Sequence, residues 1–148
     1  MTLAQALKQK NRLAGELVRL QSIFQRENAR RSDSVSEIDR MRIWESILET
    51  SRQLGELKGK IAKANIGIYS KIERMAEYKS RIAYINSLTK KEGEEVVYTG
   101  TSSPARTYTW DSFINQKEAD RLMLELQQDI NSLQDAIDIY NASTTIED

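Results

Sequence analysis

Apolar residues recur at steps of three and four along four stretches of the chain, with polar residues at nearly every position between them. Such spacing puts each set on one helix face, because successive side chains turn by about 100°. The longest stripe is Ala119, Met123, Leu126, Ile130, Leu133, Ile137 and Tyr140, interleaved with Asp120, Gln127, Gln128, Asp129, Gln134, Asp135 and Asp138. A stripe this narrow predicts a helix over about 115–141 that packs against other helices. Asn115 and Glu118 have capping-box spacing at its start.

The same logic predicts three helices upstream. The first runs over about 2–30, capped by Thr2, with Leu3, Ala6, Leu13, Leu17, Leu20 and Phe24 in a heptad register that only Lys10 interrupts. Leu7 and Val18 widen its stripe, which suits a bundle core. The second, over about 36–65, follows a turn and a Ser34/Glu37 capping-box signal, and presents Ile38, Met41, Trp44, Ile47, Leu48, Leu54, Leu57 and Ile61. Gly55 and Gly59 weaken it by about 1 kcal/mol each. They sit on one side, so they are either tolerated weak points or a place where another helix approaches closely. Gly67, free to take a positive φ, marks a break. Ser70 and Glu73 then restart a helix over about 70–89 carrying Ile72, Met75, Ala76, Ile82, Ile85 and Leu88.

Periodicity changes after the charged break at 90–95. Val96-Val97-Tyr98-Thr99 and Arg106-Thr107-Tyr108-Thr109-Trp110 are rich in β-branched and aromatic residues, which predicts a β-hairpin within about 96–113 and a loop at 100–104. A lone hairpin is marginal in water, so it is expected to lie on helices or to pair with a hairpin of another subunit. The fold expected is a single, mainly α domain: an elongated antiparallel helical bundle or coiled coil of four helices with a small β-hairpin before the last.

Composition narrows the chemistry. The 148 residues contain no cysteine and no histidine, which excludes disulfides and thiol nucleophiles and removes the commonest metal ligand and general base. No stretch reaches the roughly 20 apolar residues of a membrane span, and the first twenty residues are amphipathic, unlike a secretory signal. The cytosol is the expected compartment, with no membrane partner. Charge is balanced overall but not locally: residues 1–74 hold 15 basic and 9 acidic residues, and residues 75–148 hold 7 and 13. The basic first helix suggests nucleic-acid binding. Attraction between the basic and acidic parts, within or between chains, is the preferred reading, because Arg19, Arg26 and Arg30 are diluted by Glu16 and Glu27.

Three segments carry a family resemblance: the opening Leu3-Ala4-Gln5-Ala6-Leu7, the run Leu57-Lys58-Gly59-Lys60-Ile61-Ala62-Lys63-Ala64-Asn65, and a last helix closing on Asn141-Ala142-Ser143-Thr144-Thr145 after the hairpin. With these the chain resembles the septicolysin-like family of bacterial and phage proteins. Ala142 departs from that pattern, where the family usually has tryptophan, and the segment after Asn65 is shorter. The resemblance implies an elongated helical fold with a small β element that forms oligomers, and it carries over no catalytic residue.

No phosphate-loop, dinucleotide or zinc-protease motif is present, Ser102 and Ser103 lack a histidine base, and carboxylates at helical spacing usually form a solvated face. No enzymatic activity and no cofactor or metal is therefore expected. Binding is the better prospect. Arg106, Tyr108 and Trp110 alternate along one strand and share a face, which Tyr98 would join if the register allowed; an arginine among aromatics stacks on bases and holds phosphate. The preferred reading is that Tyr108 and Trp110 pack the hairpin onto the helices while Arg106 pairs with an acidic helix. Lys63, Asn65, Arg81 and Asn141 sit near helix ends or seams, where they line a pocket between subunits or merely cap and bridge helices. Two functions follow. One is a non-catalytic homo-oligomer that sequesters a small anionic or nucleotide-like ligand in intersubunit clefts, for example a host immune signal in a phage setting. The other is a structural or adaptor protein joined through its helical seams.

Overall fold

The computed structural model describes residues 1–101 and 104–147. It is mainly α, in the order α1 (Leu3–Glu27), α2 (Arg40–Ala64), a short 3-10 turn (Asn65–Gly67), α3 (Tyr69–Ser87), β1 (Gly93–Val97), β2 (Arg106–Trp110) and α4 (Gln116–Ser143). Four helices and a hairpin before the last are thus as the apolar periodicity predicts. Contacts group the chain into two compact units, Met1–Tyr69 with Ile137–Asp148, and Ser70–Ala136.

In the first unit α1 and α2 form an antiparallel pair. Phe24 near the end of α1 lies 5.3 Å, ring to ring, from Trp44 near the start of α2. At the other end Leu3, Ala6 and Leu13 share a buried cluster with Leu54, Leu57 and Ile61. Each of these leucine and isoleucine side chains contributes about 1.5–3 kcal/mol by leaving water. The Thr2 hydroxyl accepts the Gln5 N–H while the Gln5 side chain accepts the Thr2 N–H, a complete capping box. The chain end closes the same core. Thr2 and Thr145 form an antiparallel bridge, the Leu3 N–H donates to Thr144 O at 2.7 Å and the Ile146 N–H to Met1 O at 3.0 Å. Ile146 enters the cluster beside Leu3.

Several boundaries differ from expectation. Helix α1 stops at Glu27, and α2 is capped by Asp39, whose carboxylate accepts the Arg42 N–H at 3.2 Å. Ser34 instead donates its hydroxyl to Arg31 O in a local turn, so the Ser34/Glu37 spacing starts nothing. Likewise Ser70 lies inside α3. Gly67 has no positive φ. Its smallness is what the fold uses: an added Cβ would lie 2.5 Å from the Tyr140 hydroxyl, which donates to Ala64 O at 2.8 Å. At Gly55 and Gly59, by contrast, nothing among the described residues comes within 4 Å of an added Cβ. No described helix of the same unit uses them for a close approach.

In the second unit Ile85 of α3 packs with Ala119 and Leu126 of α4, flanked by Tyr78, Ile82, Leu122 and Met123. The Asn115 side chain accepts the Glu118 N–H at 2.9 Å and starts α4. Glu118 itself pairs with Arg121, so only half of a capping box forms. Among the described residues no helix is long and apolar enough to cross a membrane.

Candidate functional site

The hairpin begins earlier than the β-branched run suggested, since Gly93, Glu94 and Glu95 belong to β1. Gly93 takes φ +83°, open to glycine at little cost, where the chain turns into the strand. The strands pair antiparallel with Gly93 opposite Trp110, Glu95 opposite Tyr108 and Val97 opposite Arg106. Directly opposed residues share a face, so Arg106, Tyr108 and Trp110 lie with Val97 and Glu95. Tyr98 falls beyond the last pair, and the register does not bring it to that face. The expected loop 100–104 falls within the connection between the strands; Ser102 and Ser103 lie outside the described residues.

An acid therefore occupies the face that the aromatic-arginine pattern offered to an anion. The Trp110 indole N–H donates to Glu95 at 2.6 Å. Lys91 approaches the same carboxylate at 3.4 Å, and its ammonium lies 4.7 Å from the Trp110 ring centroid, a cation–π distance. The Ser112 hydroxyl donates to Lys91 O at 2.6 Å and ties the base of the hairpin. Lys91 and Glu95 thus occupy the polar edge and one face of Trp110. Beside this trio runs a groove of about 430 Å³ lined by Tyr84, Leu88, Lys91, Trp110 and Phe113. Lys91 and Glu95 escaped the sequence reading, because their meeting with Trp110 depends on strand register.

The remaining candidates divide between the units. Arg81 is exposed and stacks over Tyr78 at 5.4 Å, within the second unit. Lys63, Asn65 and Asn141 belong to the first. The Tyr140–Ala64 hydrogen bond joins the segments that carry them. Asn65 ends α2, its backbone N–H donating to Ile61 O, and is half-buried like Asn141. Lys63 is exposed beside Lys60, Thr145, Ile146 and Glu147 around a shallow groove of about 370 Å³. A second feature absent from the candidate set is a groove of about 420 Å³ between α1 and α2, lined by Phe24, Asn28, Arg40, Met41 and Trp44. Arg40 donates to Asn28 O at 3.2 Å across its floor.

Shifted ionisations belong to exposed ion pairs on single helices. Hydrogen bonding from Arg52, then from Gln53, holds the Glu49 carboxyl down to about 2. Bonds to Glu49 and Glu56 raise Arg52 above its ordinary value. Hydrogen bonds from Arg19 and Arg121 lower Glu16 and Glu118 in the same way. Pairs in full solvent contact add little stability; these pairs lie along helix surfaces, where neighbours three and four apart meet. Comparisons of the chain with family models, with curated proteins and with solved structures gave no match, so its own geometry carries the functional reading.

Proposed function

We propose that this chain is a non-catalytic helical assembly protein, a structural unit whose exposed seams join it to further copies of itself. The observation that carries this reading is the amount of large apolar side chain left outside. Met41 is 65% exposed, Leu48 51% and Trp44 43%, all on α2, while Phe113 is fully exposed. An apolar face shared by Met41, Trp44 and Leu48 needs cover, since large contiguous apolar patches mark interaction surfaces. The ion-pair pattern supports the same reading, because the ionisations that shift belong to exposed pairs along single helix surfaces, Glu16–Arg19, Glu49–Arg52 and Glu118–Arg121. Arg19 on α1 pairs with Glu16, and Arg30, just past the end of α1, pairs with Glu27, which weakens this segment as a nucleic-acid arm. Sedimentation velocity from low to high micromolar protein tests the proposal. Concentration-dependent association supports it; a monomer at every concentration refutes it.

Ligand capture is the second reading, favoured by the groove beside Trp110, whose volume lies in the range of small-molecule sites. Lys91 is the cation at its edge. Under this reading a small anionic or nucleotide-like ligand raises the melting point. The gain is about 2.7 kcal/mol at a hundredfold excess over the dissociation constant, and Lys91→Ala diminishes it. A nucleotide panel that shifts nothing removes the reading.

A further inference from the structure

Helix α2 carries two apolar faces, and among the described residues of its own unit only one of them is covered. Ile47, Leu54, Leu57 and Ile61 are buried. Met41, Trp44, Leu48, Gly55, Gly59 and Ala62 form a second stripe, ~60° wide and rotated by roughly 120° from the buried one at 100° per residue. All six are exposed. The stripe is graded in size. Its first half holds the three large side chains, and its second half holds two glycines and an alanine. Nothing among the described residues lies within 4 Å of an added Cβ at either glycine. The trough that Gly55 and Gly59 create is therefore open to an outside helix.

Resting on the assembly reading above, we propose that this face pairs with the same face of a second copy, with the two α2 helices antiparallel. An antiparallel two-fold pair is self-complementary. It lays Trp44 and Leu48 of each copy onto residues 55–62 of the other, so that large side chains meet the trough twice. A parallel pair would stack Trp44 on Trp44 and leave the glycine halves facing each other across a void. The charged edge is mixed: Glu45 and Glu49 lie towards its start and Lys60 and Lys63 towards its end, but Arg42, Arg52 and Glu56 share that edge, so the orientation rests on the fit of large side chains to the glycine half. The strip from Met41 to Ala62 is about 32 Å long and roughly 10 Å wide. Two such strips fall below the ~1,200–2,000 Å² of a standard interface, so the pair is expected to dissociate on dilution.

The test uses variants that leave the fold of one chain intact. Gly55→Gln with Gly59→Gln fills the trough with polar chain. Within a single copy the new atoms enter open space, and glutamine is a better helix former than glycine. The double variant is expected to keep or raise the melting point of dilute protein while its dissociation constant rises at least tenfold. Because the chain has no cysteine, single cysteines report orientation cleanly. Ser51→Cys, beside the two-fold axis, is expected to form a disulfide-linked dimer on mild oxidation, whereas Met41→Cys and Val35→Cys are not. Equal cross-linking of Met41→Cys and Ser51→Cys overturns the antiparallel arrangement. If the wild type associates but the glycine variant leaves its constant unchanged, the α2 pairing is overturned and the assembly reading stands. If the wild type never associates, both are overturned.

Discussion

Gly67 and Tyr140 make a pair whose coupling is calculable from the structure. In Gly67→Ala the new methyl would lie 2.5 Å from the Tyr140 hydroxyl and 3.2–3.3 Å from its ring atoms. The ring must then withdraw, which strains the hydrogen bond to Ala64 O. Overpacking of this kind costs about 2 kcal/mol. Tyr140→Phe removes one part-buried hydrogen bond, a loss of about 1 kcal/mol. In the double variant the closest contact is gone, and the ring contacts that remain need a shift of only a few tenths of an ångström. The combined loss is therefore expected near 1.5 kcal/mol, about half the additive sum, a coupling well beyond the ~0.5 kcal/mol scatter of independent sites. Urea unfolding measures it. Trp44 lies in this unit and Trp110 in the other, so Trp44 fluorescence in a Trp110→Phe background follows the relevant transition. Additive single-variant losses would refute the packing argument. A Gly67→Ala loss that persists in full without the hydroxyl would do the same.

Ile146→Ala should cost about 2–4 kcal/mol, because the side chain is part of the buried cluster that closes on Leu3; a loss no larger than that of an exposed alanine scan site would mean that the chain end is not part of the core. Thr2→Ala breaks the capping box and should cost about 1 kcal/mol, read from the same unfolding curves. For Glu49 the sign follows from a folded pKa of about 2 against an ordinary 4.5. Its bridge to Arg52 contributes above pH 4.5, and that contribution is lost as pH falls towards about 2. Wild type should therefore melt slightly above Arg52→Gln at neutral pH, with the gap closing in acid. A gap independent of pH would show that the ion pair is not its source. Glu95→Gln should leave the hairpin folded but change the quenching of Trp110 fluorescence (in a Trp44→Phe background), since the carboxylate accepts the indole N–H.

What the amino-acid order determined by itself was local. Apolar residues at steps of three and four, Thr2 before Leu3 and Asn115 before Gln116 specify helices and their starts through neighbours within a turn. The β-branched run at 106–110 likewise marks a strand without help from elsewhere. Long-range geometry decided the rest. Capping-box spacing occurs at both Ser34 and Ser70, but a hydroxyl caps only where the following backbone N–H groups are free. At Ser34 a turn claimed the side chain, and at Ser70 the helix had already begun. Arg106, Tyr108 and Trp110 share a face by alternation alone. That Glu95 shares it and Tyr98 does not depends on register, which no single strand contains. Gly67 and Tyr140 are far apart in sequence, as are Thr2 and Thr145, and their requirements appear only when the segments touch. The two stripes of α2 show the limit most plainly. Their spacing is equally helical, and burial of one rather than the other follows from which side α1 covers, a choice made by the packing of whole helices rather than by any local preference.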